Sequence, residues 1–284
     1  MTVSVIIPTL NAASSISNLL ERLQVQDVRP DEVIVIDSSS DDDTVKIAGD
    51  YGSRVLVIPR NSFDHGGTRN IAASEAIGDI LLFMTQDALP FDSHLIGNLI
   101  SPLSEPDIAA SYARHIPRDD ASPLEVFARL FNYPSTPNIK GIDDLGRHGI
   151  KTFFCSNVCS AFKKNIFMKA GMFPEGIPSN EDMLISARLI TGGYRIAYVP
   201  DAVVIHSHRY SLSQLFRRYY NIGVSLKRNR WVLDYSGGAG REGLRFLSGQ
   251  IGFVIKNYGL KWLPQVFLEA IVKLAGYRIG LIRG

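Results

Sequence analysis

The sequence predicts an α/β protein: a mostly parallel sheet sandwiched by helices, followed by a helical C-terminal region. Three observations carry this. Short apolar, β-branched runs alternate with helix-length patterns through the first hundred residues. Each run stops abruptly at a polar cluster. The charge also changes sign near residue 209: residues 1–208 hold 17 Lys+Arg against 25 Asp+Glu, a net of −8, and residues 209–284 hold 13 against 3, a net of +10.

The elements follow in order. Val3–Ile7 reads as a strand and Ser14–Gln26 as a helix. Val33–Ile36 is followed by a helix over Asp41–Asp50, Val55–Ile58 by one over Gly67–Ile77, and Ile80–Met84 by one over Ser93–Leu103. In such sheets ligands bind beyond the carboxyl ends of the strands. The polar clusters at those ends (Pro8-Thr9-Leu10-Asn11, Asp37 to Asp41, Arg60-Asn61 and Gln86-Asp87) therefore predict one site on one rim. Residues 117–151 read as a loose, mobile excursion over that site. Thr152–Phe162 looks like a strand, Asn180–Gly192 a helix, and Arg195–Val199 and Val203–His206 two short strands. From Ser211 the pattern is helical to the end. Two regions are expected, a catalytic one over 1–208 and a basic amphipathic one over 209–284.

Composition excludes several classes. Two cysteines, Cys155 and Cys159, are too few for a disulfide framework and lack companion ligands, so they read as core residues in a reducing compartment. Met1-Thr2-Val3 runs straight into a strand, no apolar run is long enough to cross a bilayer, and a cytoplasmic location is expected. The basic tail carries no nucleic-acid-binding module.

The motifs point to chemistry. In "VIVIDSSSDDDT", Ser40 and Asp43 fit a capping box, whereas Asp37 precedes the cap and suits the imide N–H of a uracil or thymine. In "RNSFDHGGTRNIAA", Gly66-Gly67 at a helix start offers N–H groups to an anion, with Arg60, His65 and Arg69 nearby; a solvated helix start is the plainer reading. In "LLFMTQDALP", Asp87 offers one hard oxygen ligand to a divalent cation. Gln86 offers its carbonyl to that cation or its amide to a phosphate or sugar hydroxyl, and the diphosphate itself brings the remaining charge. In "GIPSNEDMLISARLITGGY", Glu181 and Asp182 start a helix. Ser179 and Asp182 fit a capping box, or a carboxylate faces the cleft as general base. His206 and His208 alternate in "VVIHSHRYS" and share one face, either packed or ligating a metal or phosphate.

Together these motifs resemble family 2 glycosyltransferases of the GT-A, Rossmann-like fold. The carriers are "SVIIPTLN", "VIVIDSSSDDDT", "RNSFDHGGTRN", "FMTQDALP" and the stretch from "SNED" to "IHSH", over about residues 3–208. "FDHGGTRN" with "TQDA" resembles bacterial rhamnosyltransferases that use dTDP-L-rhamnose in O-antigen or other surface-polysaccharide assembly. The resemblance implies that Pro8, Thr9 and Asn11 line the base and ribose, with Ser39 beside them. It implies that Asp37 recognises the pyrimidine, that Arg60, His65, Gly66, Arg69 and Gln86 contact the nucleotide sugar, and that Asp87 and His206 hold Mg²⁺ or Mn²⁺. Asp182 is then the base, with Glu181 beside it, in a single inverting displacement onto an acceptor hydroxyl. The metal motif departs from the family, since Thr85 and Gln86 stand where a further acid is usual.

The tail, "RYSLSQLFRRYYNIGVSLKRNRWVL" and beyond, mixes Arg and Lys with aromatic residues. That suits an anionic membrane surface at the inner face of the plasma membrane and a lipid-linked glycan acceptor. A helical appendage packed on the body, or a homodimer, fits the same pattern. Two further readings stand beside the transferase: a UDP-hexose donor, or a non-catalytic sugar-nucleotide-binding protein. A nucleotidyltransferase lacks support, because "PTLNAAS" has no glycine-rich loop.

Overall fold

In the computed structural model, residues 1–238 and 240–284 are described. The elements in chain order are β1 (Val3–Thr9), α1 (Ile16–Gln24), β2 (Glu32–Asp37), α2 (Thr44–Asp50), β3 (Arg54–Val57), α3 (His65–Glu75), β4 (Ile80–Met84), β5 (Leu89–Pro90), α4 (Leu95–Ile100) and β6 (Ile108–Ile116). There follow α5 (Pro123–Asn132), β7 (Asn138–Lys140), α6 (Leu145–His148), β8 (Cys159–Lys163), α7 (Lys164–Lys169), α8 (Glu181–Thr191), β9 (Arg195–Ile205), α9 (Leu212–Arg228), α10 (Trp231–Ser236), α11 (Gly240–Tyr258) and α12 (Leu263–Arg283).

One sheet runs β3-β2-β1-β4-β8-β6-β9-β5, with β7 also on β9. The four N-terminal strands pair in parallel, as the alternation predicts. The second half is mixed: β8 runs antiparallel to β4 and β6, β6 and β9 are parallel, and β5 and β7 are antiparallel to β9. Successive side chains along β1, β2 and β4 enter two separate cores. Ile6, Ile34, Ile36, Leu81 and Phe83 face one, and Val5, Ile7, Val35, Leu82 and Met84 the other. A sheet covered on both faces has this signature. Phe83, Phe162, Phe167 and Phe173 fill the first core, with ring centroids 4.9–5.8 Å apart.

Several expectations are corrected. Ile108–Ile116 is a central strand that the sequence did not announce, because small Ala and polar Arg114 and His115 dilute its β-branched content. The two runs at 195–206 are one strand, and an irregularity in its pairing with β6, between Ala113 and Arg114, absorbs Pro200-Asp201. Thr152 and Phe153 lie in a 3₁₀ turn, and the strand starts only at Cys159. The excursion over 117–151 is built, not loose: Ser122 caps α5 through the Glu125 N–H, and Phe127 packs on Phe246 and Phe253 of α11. Both cysteines are free and buried, as expected.

The C-terminal helices join the body. Leu226 and Val232 belong to the same buried cluster as the sheet. Ser211 and Gln214 close a capping box on α9. α12 crosses α9 so closely that a Cβ on Gly280 would meet the Tyr220 carbonyl oxygen at 2.2 Å. Among the described residues no helix is long and apolar enough to cross a membrane.

Candidate active site

The ends of β1, β2 and β4 are laced together. Asp37 is fully buried. Its Oδ1 accepts the Ser40 N–H at 2.7 Å, and its Oδ2 accepts the hydroxyls of Thr9 at 2.8 Å and Ser40 at 2.6 Å. Three of its roughly four acceptor positions are thus spent inside the protein. Asp37 thus braces two strand ends and keeps one acceptor position for the pyrimidine contact expected of it. The Ser40–Asp43 capping box does not form either, because Ser40 is engaged by Asp37 and Asp43 makes no side-chain cap. Asn11 and Ser39 hold left-handed backbones, φ +49° and +57°. Such φ values are uncommon outside glycine and mark positions the surrounding structure enforces. The Asn11 side-chain oxygen accepts the Asp41 N–H, and Arg60 donates to the Ser39 carbonyl at 2.6 Å and to Asp41 at 2.7 Å. Pro8, Asn11, Ser39 and Arg60 remain partly or fully exposed along this rim.

Gln86 is tied to the backbone of Leu10. Its Oε1 accepts the Leu10 N–H at 2.8 Å and its Nε2 donates to the Leu10 carbonyl at 3.2 Å. An amide can do both, whereas a carboxylate cannot donate. Gln86 thus ties the segment after β4 to the loop after β1.

Asp87 is the member of this segment that meets the two histidines. Its Oδ2 lies 3.4 Å from His206 Nε2 and 3.8 Å from His208 Nδ1. The three residues offer one ligand atom each, all within 4.8 Å of one another. Both ring nitrogens of His206 are buried without a hydrogen-bond partner, which is costly unless something accepts or coordinates them. Burial lowers the pKa of His206 and takes that of His208 down to about 4, so both imidazoles are neutral and ready to ligate. Burial alone would raise the Asp87 carboxyl, but the neighbouring imidazoles of His206 and His208 more than offset it and bring the group below the usual carboxylate range. One carboxylate and two neutral imidazoles fit a divalent cation. His208 completes this group beyond the expected Asp87 and His206; their shared face in the sequence was its signal.

Around the histidines stand residues that the motifs did not reveal. The His208 N–H donates to Glu125 at 2.7 Å, and Glu125 pairs with Arg129 at 3.4 Å. Arg218 of α9 donates to the Tyr210 hydroxyl at 3.2 Å, and the Tyr210 ring lies 5.1 Å from that of His208. The charges of Arg129 and Arg218 both reach the two histidines. Nothing in the local sequence assigns these to the site, since α5 and α9 arrive only through tertiary packing.

The acids of α8 have divided. Glu181 is buried, 3.5 Å from Arg69, and its Oε1 accepts from Asn157 Nδ2 at 3.3 Å. Asp182 is only half-buried; its Oδ2 accepts the Asn157 N–H at 3.2 Å and its Oδ1 the Met183 N–H at 2.7 Å. Ser179 makes no cap, and the N-terminal residue of the helix is Asn180, at φ +67°. Burial, followed by the adjacent Glu181 charge, raises the Asp182 carboxyl above the ordinary carboxylate range, as a general base requires. Arg69, expected at the diphosphate, lies 3.5 Å from Glu181 and donates to the His65 carbonyl at 2.6 Å. Gly66 and Gly67 do not present free N–H groups: both donate to Asp64, which caps the helix. A Cβ on Gly66 would meet the Pro174 carbonyl oxygen at 2.2 Å, so packing, not ligand approach, demands glycine there. His65 is exposed and lines a separate cavity.

Known proteins resemble this chain in sequence and in fold. Residues 4–171 match the family model described as Glycosyl transferase family 2. The chain belongs to glycosyl transferase family 2. It is 42% identical over 282 residues to the O-antigen chain rhamnosyltransferase RfbN of Salmonella typhimurium, covering 99% of this chain and 90% of that protein. It is 40% identical to the O-antigen chain rhamnosyltransferase WbaN of Salmonella anatum, over 98% of this chain and 88% of that one. In fold it is similar to the mannosyltransferase PcManGT of Pyrobaculum calidifontis, solved with GDP-Man and Mn²⁺, at a TM-score of 0.65, 19% identity and coverage of 99% and 84%. It is likewise similar to Staphylococcus aureus TarS solved with UDP, at a TM-score of 0.62, 20% identity and coverage of 99% and 90%. The fold is GT-A, and this glycosyltransferase moves a sugar from a nucleotide donor.

Proposed function

We propose that this family 2 glycosyltransferase moves L-rhamnose from dTDP-L-rhamnose to a hydroxyl of a lipid-linked surface-polysaccharide glycan, with inversion. The observation that carries the donor is the near-full-length identity to two proteins named O-antigen chain rhamnosyltransferases. The geometry supports the roles. Asp182, half-buried and raised in pKa, takes the proton of the attacking hydroxyl; Glu181, held by Arg69, keeps its helix start in place. Thr9, Pro8, Asn11, Ser39 and Arg60 form the rim that receives the nucleoside, with Asp37 bracing it from below. Asp87, His206 and His208 would hold a divalent cation, which neutralises charge on the leaving diphosphate. Imidazole donors favour Mn²⁺ over Mg²⁺ in that group. Arg129 and Arg218 add positive charge on the same side.

The division into a catalytic region over 1–208 and a helical region over 209–284 belongs to this proposal, the second region completing the first through Arg218. α12 turns Phe267, Leu268, Ile271, Leu274, Ile279 and Ile282 outward, flanked by Lys261, Arg278 and Arg283, with no acid exposed among them. That face suits the anionic cytoplasmic leaflet, where a lipid-linked acceptor resides.

The test is nucleotide release from dTDP-rhamnose, UDP-glucose, UDP-galactose and GDP-mannose, each with Mg²⁺, Mn²⁺ or EDTA. Cation-dependent release of dTDP alone is expected. Release from a UDP-hexose moves the donor assignment. Vesicle flotation with and without anionic lipid, beside light scattering, tests α12; a dimer that ignores vesicles overturns the membrane placement.

A further inference from the structure

A cavity of about 610 Å³ opens between the start of α3, the loop Gly176–Pro178 and the facing ends of α9 and α12. Resting on the lipid-linked acceptor read above, we propose that it receives a phosphate or diphosphate group of that acceptor.

Position is the first argument. Pro178, in the cavity wall, stands four residues before Asp182 on the same chain segment. His65, also in the wall, accepts through its carbonyl from Arg69, which in turn meets Glu181. The cavity is therefore linked to the acid pair through the Pro178 segment and through Arg69, although neither acid lines it.

Charge is the second. Arg228 and Arg283 both line the cavity, and among the described residues neither has a carboxylate partner. Arg228 donates to the Gly176 carbonyl at 3.2 Å and leaves the rest of its fork free. Asp64 is the one acidic side chain in the wall, and its oxygens are occupied: Oδ1 by the Gly66 and Gly67 N–H groups, Oδ2 by the Gly176 N–H. Each arginine also sits in the last turn of its own helix, where cations are favoured anyway. That preference does not account for two guanidinium groups, from helices distant in sequence, converging on one concavity. Arginine forks match phosphate oxygens in geometry as well as charge. Tyr220 and Asn221 stand beside them as hydroxyl and amide partners for a sugar.

Exit is the third. Ile279 and Ile282 are exposed next to Arg283, so a chain leaving the phosphate runs onto the apolar face of α12. A lipid-linked glycan needs this order of surfaces: bilayer-facing helix, anion cradle, then base.

Inorganic pyrophosphate is the probe, titrated by calorimetry into the full chain already saturated with dTDP and Mn²⁺. Binding to the loaded enzyme is expected, and Arg228→Ala with Arg283→Ala should weaken it by at least about tenfold while dTDP affinity stays unchanged. The retained dTDP affinity also certifies folding, and Arg283→Lys should recover part of the loss. Unchanged pyrophosphate affinity in the double variant overturns the proposal. Joint loss of pyrophosphate and dTDP binding overturns it too, by making the cavity part of the donor site. Loss of phosphatidylglycerol-vesicle binding with intact pyrophosphate affinity assigns the arginines to lipid headgroups instead, and equally overturns it. If dTDP does not bind the wild-type chain, the donor reading fails separately, and the titration is read on the unloaded protein.

Discussion

Replacing Asp182 with asparagine tests the centre of the site. The carboxylate accepts two backbone N–H groups, from Asn157 and Met183. An asparagine oxygen keeps one and its NH₂ opposes the other, a loss of about 0.5–1.5 kcal/mol. Against this, the native Asp182 carboxyl has a raised pKa, so between the unfolded value and the raised one the folded state binds more protons and stability falls with rising pH. Asparagine removes that cost at neutral pH, so the variant should unfold at a temperature close to wild type. Chemistry should suffer far more. A positioned base contributes about 10²–10⁴ in rate, or roughly 2.7–5.5 kcal/mol of barrier. The assay is transfer to isolated lipid-linked glycan, with dTDP binding and thermal unfolding as controls. In wild type kcat should fall as pH drops through the raised carboxyl pKa, because only the ionised base accepts a proton. In Asp182→Asn the residual rate should lose that slope. A variant retaining wild-type kcat, or an unchanged pH profile at lower kcat, would refute the assignment.

Other perturbations probe the supports. Gln86→Glu adds a carboxylate beside Asp87, yet it should destabilise by about 1–3 kcal/mol in urea unfolding, since a carboxylate oxygen would face the Leu10 carbonyl 3.2 Å away; an unchanged or stabilised variant with tighter Mn²⁺ binding contradicts the brace. His206→Ala and His208→Ala should each raise the Mn²⁺ needed for half-maximal nucleotide release by at least about tenfold, and equal metal dependence would remove the residue from the group. Gly280→Ala pushes a methyl toward the Tyr220 carbonyl oxygen and should cost about 1–3 kcal/mol by overpacking. Calorimetric unfolding reads it, and an unmoved transition means that α12 does not pack on α9 as described.

What could be read in the sequence was what local pattern encodes. β1, β2 and β4 declared themselves because both their faces are buried and their residues are β-branched or large. β6 did not, because its place between β8 and β9 is secured by pairing, not by composition. The site divides along the same line. Asp87, Asp182 and His206 stood out because each ends or starts an element with a charge that the element does not need. Which partner each polar group takes was not legible, since partners come from segments distant in sequence. Leu10 meets Gln86 across 76 positions, and His208 meets Glu125 across 83. Asp37, Gln86, Arg69 and Gly66 thus looked like ligand contacts when their first duty is to brace strand ends, neutralise Glu181 or admit Pro174. A rim that must hold several polar side chains beside a diphosphate needs such braces, because unpaired groups there would turn inward or bind one another. The residues that look most functional in the sequence therefore include the scaffold of the site, and the chemistry proposed above falls to Asp182, Asp87 and the two histidines.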